Sequence, residues 1–364
     1  MKKLIMILMI ASMASAIFAE GSISGVSYFG YSMKHMNADD EDNKDRGFEL
    51  NRVYLTYKKE ISEKASFTFQ ADMQNKFDDN TAYYMYIKKA QLDLKVADGT
   101  KFIIGMQGMN MFNVAEKTWG NRFISKSAID EEGWSASADL GMGISQSFGD
   151  LSASLLVTNG EGYKKISSDN NEKISLQAMY GEKRLDKNDG FNIGGVYSSL
   201  TYTSVEDDAA TIDIDEEEEK AGTVMGVFAG FSGFGARVGF DYSMGTDLDL
   251  EFIEDKDDPD YPDVDETTLY GESSTLMSFY ANYSLSFIDG LSVMGRYDML
   301  DANVKDNVAT TSMDESAEDN VATITAGLIY NCTDGFTVAP HIVQTTEGTG
   351  DPMMDFNLSF QFKF

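Results

Sequence analysis

The chain has 364 residues, 29 Lys and Arg against 60 Asp and Glu, and a formal charge of −31. That acidity excludes nucleic-acid binding by phosphate neutralisation, and the single Cys excludes a disulfide scaffold. Two His leave little for His-built metal or catalytic sites, and four Pro beside 32 Gly describe a backbone that keeps its N–H groups for a ladder.

Residues 1–19 read as a secretory signal peptide. Lys2 and Lys3 precede an apolar run over 4–10, and the small residues Ala14, Ser15, Ala16 and Ala19 follow. Cleavage after Ala16 and cleavage after Ala19 both satisfy the small-residue rule. The apolar run is short for a membrane helix, which needs ~20 residues. Losing Lys2 and Lys3 takes the charge from −31 to −33.

From residue 20 onward no window is apolar enough for a helical span, and the dominant pattern has period two. In 65–74, Phe67, Phe69, Ala71 and Met73 oppose Ser66, Thr68, Gln70 and Asp72. In 134–148, Trp134, Ala136, Ala138, Leu140, Met142 and Ile144 oppose Ser135, Ser137, Asp139 and Ser145. In 236–244, Ala236, Val238, Phe240 and Tyr242 oppose Arg237, Gly239, Asp241 and Ser243. Side chains alternate faces along a strand, so each segment is apolar on one side only.

The pattern predicts strands near 21–33, 48–59, 65–75, 83–96, 101–108, 134–148, 151–158, 173–182, 191–202, 223–231, 236–245, 274–287, 291–301, 321–330, 336–344 and 354–364. That is about sixteen, with fourteen and eighteen still open. Short links largely alternate with long ones, and several strands reach the ~9–11 residues of a tilted membrane strand. These features predict an all-β transmembrane antiparallel barrel over 20–364, with short periplasmic turns and long acidic extracellular loops. Pro340 falls inside the fifteenth strand, where a bulge or a shifted boundary would have to absorb it.

The closing segment alternates most sharply. Phe356, Leu358, Phe360, Phe362 and Phe364 share one face; Asp355, Asn357, Ser359, Gln361 and Lys363 share the other. An exposed aromatic edge would aggregate in a soluble protein. In a barrel it pairs with the first strand and faces lipid, so Phe360, Phe362 and Phe364 are read as an assembly signal.

A family resemblance rests on four segments. Gly47 to Leu55 (GFELNRVYL) and Phe67 to Asp72 (FTFQAD) are similar to the early strands of the phosphate-selective porin O and P family. Asn121 to Ser127 (NRFISKS) resembles that family's third-loop segment, and Thr158 to Gly162 (TNGEG) resembles the loop after its seventh strand. The resemblance implies a sixteen-stranded trimeric channel in the bacterial outer membrane whose third loop narrows the pore. Two departures stand out. Asn51, Arg52 and Tyr54 occupy positions where the family clusters arginines, and Ser125-Lys126 replaces an acid–arginine pair.

Charge is unevenly placed. Residues 34–47, 203–220, 246–272 and 302–320 together hold 31 acids and 6 bases, a net −25. A mouth of one sign focuses the field and concentrates cations. Asp255, Asp257, Asp258, Asp260, Asp263 and Asp265 offer oxygen ligands for a divalent ion but lack the spacing of a calcium loop, so no metal site is assigned. Alternation turns Arg52, Gln70, Asp72, Lys89, Gln91, Asp93, Asp139, Arg237, Asp241, Arg296 and Asp298 toward the lumen. Both signs are similarly represented there. Residues 109–133 form the candidate constriction loop: Trp119 and Phe123 can pack on the wall, placing Lys117, Arg122 and Lys126 at the narrowest point.

The sequence therefore points to a passive diffusion channel for small hydrophilic solutes and ions, weakly cation-preferring. The alternatives are an anion- or phosphate-selective channel and a structural or adhesive surface barrel. No G-x-S-x-G, H-E-x-x-H or Cys–His arrangement appears, and His35 and His341 are isolated, so neither enzyme activity nor a cofactor is expected. The expected partners are outer-membrane lipid and lipopolysaccharide, the outer-membrane assembly machinery, and two further copies in a homotrimer.

Overall fold

The computed structural model describes residues 21–35, 46–76, 79–166, 171–205, 217–251, 267–270, 273–302, 304–305 and 320–364. The signal segment, most of the four acidic stretches and the Asp255–Asp265 group lie outside these residues.

Sixteen antiparallel strands close into a barrel. In chain order they are β1 (Gly21–Met33), β2 (Arg46–Ser62), β3 (Ala65–Lys76), β4 (Asp79–Ala97), β5 (Thr100–Gly108), β6 (Ala138–Phe148), β7 (Leu151–Thr158) and β8 (Lys173–Gly181). The second half comprises β9 (Gly190–Val205), β10 (Glu217–Gly233), β11 (Ala236–Thr246), β14 (Ser274–Ser284), β15 (Leu291–Asp301), β17 (Asn320–Thr333), β18 (Phe336–Glu347) and β19 (Met353–Lys363). Three short strands, β12 (Asp249–Glu251), β13 (Thr267–Tyr270) and β16 (Val304–Lys305), form a separate small sheet. The count of sixteen agrees with the sequence pattern.

Closure leaves no free edge. β1 pairs with β19 from Val26 opposite Lys363 to Met33 opposite Phe356. Gly25 and Phe364 then exchange backbone bonds, N–H to O, of 3.0 and 3.1 Å. The outer surface is apolar: Leu140, Met142 and Ile144 are 46%, 50% and 44% exposed, while Asp139, next to Leu140, is 2% exposed and faces inward. Large aromatics, including Phe148, Phe234, Phe287 and Phe364, are exposed beside the short-turn rim, the position of a membrane-interface girdle. At the β10–β11 turn both Phe234 (φ 55°) and Gly235 (φ 79°) have positive φ, the backbone of a hairpin turn whose twist suits the flanking strands.

Three details differ from the sequence reading. β6 begins at Ala138 rather than Trp134. Gly133 takes φ 68° and Trp134 turns into a buried apolar cluster with Val224 and Leu248, which outcompetes the ladder. Pro340 stays within β18 without a bulge. It pairs with Leu358 of β19, and the ladder to β17 is interrupted between His341 and Val338 while keeping its register. A proline has no N–H to give, so only that local stretch is lost. Third, the β8–β9 link over 182–189 folds inward rather than forming a plain turn. Leu185 is 1% exposed, and Asn192 Nδ2 donates to the Glu182 carbonyl at 2.9 Å.

Candidate functional site

The segment between β5 and β6 enters the barrel. It carries two short helices, α1 (Asn113–Trp119) and α2 (Ala128–Glu131). Its apolar residues form a core against the inner wall. Met111, Phe112, Val114, Ala115, Ala128 and Ile129 pack with Met179, Val196, Phe228, Leu276 and Leu300, while Trp119 and Phe123 pack with Tyr280, Met294, Ile329 and Ala339. Hydrophobic burial thus holds this loop as it would hold a soluble core.

Polar bonds fix its position. Asn110 Nδ2 donates to Ser154 Oγ at 2.9 Å, and Gln177 Nε2 donates to Asn113 Oδ1 at 2.9 Å. Arg237 donates to the Trp119 carbonyl at 3.0 Å. Asn121 Nδ2 donates to Asn282 Oδ1 at 2.6 Å, and Trp119 Nε1 donates to the Ser125 carbonyl at 3.0 Å. The Arg296 guanidinium lies 5.3 Å from the Trp119 ring, donates to Ser125 Oγ at 3.1 Å, and pairs with Asp298 at 2.7 Å. These wall partners belong to β7, β8, β11, β14 and β15. Arg237 and Arg296 face the interior, but both are engaged as anchors.

Charges on the loop are mostly compensated. Arg122 is bracketed by Glu116 and Asp130. Lys117 lies 3.6 Å from Glu116, and Lys126 lies 3.7 Å from Glu131. The Arg122 triad carries one net negative charge. Burial pushes the Asp130 carboxyl up, but Arg122 and Lys126 outweigh it and hold it below the usual carboxylate range. Glu132 behaves oppositely: burial, then Glu131 and Asp298, push its carboxyl up to about 7.

The facing wall, β2 to β4, carries a second network. Asp72, 0% exposed, lies 3.4 Å from Arg52 Nε and 3.7 Å from Lys88 Nζ. The Tyr163 hydroxyl donates to it at 2.6 Å. Lys88 sits 5.0 Å from the ring centres of both Tyr54 and Tyr163 and donates to the Tyr54 hydroxyl at 3.2 Å. Tyr163 belongs to the β7–β8 link, so a second loop also turns inward. Further along, Asp93 pairs with Lys101 at 3.0 Å, and Lys89 pairs with no carboxylate among the described residues.

Asp139 faces inward and is 2% exposed. Its carboxylate accepts the N–H groups of Leu140 at 2.8 Å and Gly160 at 2.6 Å, holding the start of the β7–β8 link. Asp241 accepts a 3.4 Å bond from the Tyr280 hydroxyl. Phe360 stacks on Phe29 at 5.0 Å, and Phe362 and Phe364 lie 6.1 Å apart on the outer face.

A cavity of about 320 Å³ lies between the two inward loops. Arg52, Arg122, Lys126, Lys164, Lys165 and Lys173 line it, against Asp130 and Glu161. Burial lowers the Lys164 ammonium, and the neighbouring Arg52, Lys126 and Lys88 add to the shift. Alternation could not find Lys88, because a register shift between Gln70 and Ala71 skips it. Nor could it find Glu116, Asp130 or Tyr163, which lie on loops. The only sequence signal for Tyr163 was its place after the Asn-Gly-Glu-Gly segment.

No protein-family model and no curated protein matches the sequence. Solved structures do resemble it. OmpF of Salmonella typhi, in complex with daunomycin, shares 13% identity over 94% of this chain and 97% of that one, with a TM-score of 0.65. OprB of Pseudomonas putida shares 10% over 97% and 96%, with a TM-score of 0.65. A mutant of the Rh. blastica porin shares 14% over 94% and 100%, with a TM-score of 0.53. At such identities the likeness establishes the fold: a closed, sixteen-stranded antiparallel barrel of the kind these proteins share.

Proposed function

We propose that the chain is a bacterial outer-membrane channel for passive diffusion of small hydrophilic solutes and ions, narrowed by the inward loop. One observation carries this reading. The loop is anchored to the wall from β7 to β18, while its charged edge and the β2–β5 wall, with Arg52, Asp72, Lys88, Lys89 and Asp93, present a polar interior. A sixteen-stranded barrel is wide enough to leave an aqueous path, whereas eight strands fill with side chains. A homotrimer follows from the family resemblance, and the apolar outer wall fits lipid and lipopolysaccharide as surroundings.

Selectivity has two opposing sources in series. The long acidic stretches, net −25 in sequence, favour cations at the mouth. Exposed charges act over about 8 Å at physiological salt and about 30 Å at 0.01 M. Weak cation preference is therefore the leading reading in dilute salt. Anion selection is the second reading, and the cavity with six bases and two acids favours it. Planar-bilayer reversal potentials in a KCl gradient test both. A cationic sign that weakens as salt rises supports the rim; an anionic sign with block by phosphate supports the cavity.

A further inference from the structure

In the cavity of about 320 Å³ between the two inward loops, most of the charges are already engaged. Arg52 is taken by Asp72, the Tyr54 hydroxyl and Gln74, and Arg122 by Glu116 and Asp130. Lys126 lies near Glu131. Two lining cations, Lys164 and Lys173, make no ion pair among the described residues, and neither ammonium has a hydrogen-bond partner there.

Lys173 is the first residue of β8 and turns inward. It is 6% exposed and Ser175 is 0% exposed, whereas Ile174 between them is 46% exposed on the outer wall. Asp139 acts on Lys173 from beyond ion-pair distance, and its carboxylate is committed to the Leu140 and Gly160 N–H groups. A buried charge without a partner is costly, so an anion entering the cavity gains from meeting this ammonium. The wall beside it is apolar. Leu200 lies directly opposite Lys173 in the β8–β9 ladder. Trp134, Val224 and Leu248 pack together and line the same cavity.

We propose that this cavity binds small organic monocarboxylates with an apolar body, such as an aromatic acid, ahead of inorganic oxyanions. The proposal rests on the channel reading, in that such acids would be the solutes the pore favours. The carboxylate would accept from the Lys173 ammonium, with Lys164 supplying a second positive charge. The hydrocarbon part would cover Leu200 and Trp134, and burial of apolar surface contributes in proportion to its area. A tetrahedral oxyanion fits less well. It is recognised best by arginine forks, and both guanidinium groups here are held by the protein's own side chains. It also has no apolar surface to set against Leu200 and Trp134.

The test titrates the whole folded barrel in detergent with sodium benzoate, sodium acetate and sodium phosphate at neutral pH and equal ionic strength, reading the heat of binding. Benzoate should bind about tenfold more tightly than either acetate or phosphate. Lys173→Met keeps most of the buried stem and removes the charge. It should weaken benzoate binding about tenfold, the scale of one hydrogen bond to a charged group. Leu200→Ser should weaken benzoate and not acetate, and it serves if the first variant does not fold. Phosphate binding as tight as benzoate, equal affinities for benzoate and acetate, or undiminished benzoate binding in Lys173→Met would each overturn the site. Bilayer recordings on the same preparation keep the two readings apart: benzoate binding to a barrel without conductance would refute the channel and leave the site standing.

Discussion

Lys88 and Lys89, adjacent in sequence, both face the barrel interior. Gln70 pairs with Lys89 and Ala71 with Ile87, so Lys88 is the extra residue of a bulge. Bulges re-aim side chains, and here one brings a second cation beside Asp72 at 3.7 Å. The two lysines differ in surroundings. Lys88 is 5% exposed and bonded, whereas Lys89 has no carboxylate partner among the described residues. Lys88→Ala is therefore expected to destabilise the barrel by about 1.5–3 kcal/mol, the worth of a hydrogen bond to a charged group, with Arg52 still compensating Asp72. Lys89→Ala should leave stability unchanged and shift the reversal potential toward cations. Urea unfolding and bilayer recordings on the two variants separate these effects.

Arg122 sits between two carboxylates, and that fixes the sign of its variant. Arg122→Ala removes the cation shared by Glu116 and Asp130, leaving Glu116 with Lys117 and Asp130 with the more distant Lys126, so cation preference should rise. Adding Glu116→Gln and Asp130→Asn should return it toward wild type. A shift toward anions in the single variant would show that the triad is not the local charge seen by passing ions.

Glu132 provides a pH dependence. Its carboxyl is raised from 4.5 to about 7, so folding favours its neutral form. Its stabilising effect is fully present below the unfolded value, declines as pH rises from about 4.5 through about 7, and is gone above that. In transport, deprotonation adds a negative charge beside Glu131 and Asp298, so cation preference should step up between pH 6 and pH 8. Glu132→Gln should remove that step while leaving conductance at pH 6 unchanged. A step that survives in the variant would assign the titration to another group.

The barrel was legible because its signal is local. Leu140, Met142 and Ile144 needed only period two to be placed outside, and the closing strand from Phe356 to Phe364 needed only its aromatics. The interior was less so. One extra residue at Lys88 reverses the in–out parity along β4. The bonds of Arg237 to the Trp119 carbonyl and of Arg296 to Ser125 depend on how the loop docks. Nothing local to Asp139 says that the Gly160 N–H will come to meet it. Charge pairs such as Glu116–Arg122–Asp130 arise from the turns around two short helices, which an alternation pattern does not encode.

The last residue closes the ladder. Phe364 and Gly25 exchange two backbone bonds, and Phe364 is 64% exposed on the outer face. Deleting Phe364, or replacing Phe360, Phe362 and Phe364 by Ser, is expected to leave unfolded periplasmic protein. Heat-modifiable gel mobility and membrane fractionation read the outcome. Normal membrane levels in either variant would remove these residues from assembly.

The inward loop as a constriction is the central claim, and single-channel conductance tests it most directly. Purified wild-type protein and a variant shortened around residues 119–126 are recorded in planar bilayers, with circular dichroism confirming an intact barrel in both. The account predicts a steady ohmic channel in the wild type and a larger conductance in the shortened variant. No conductance in the wild type, or equal conductance in the two, would contradict it.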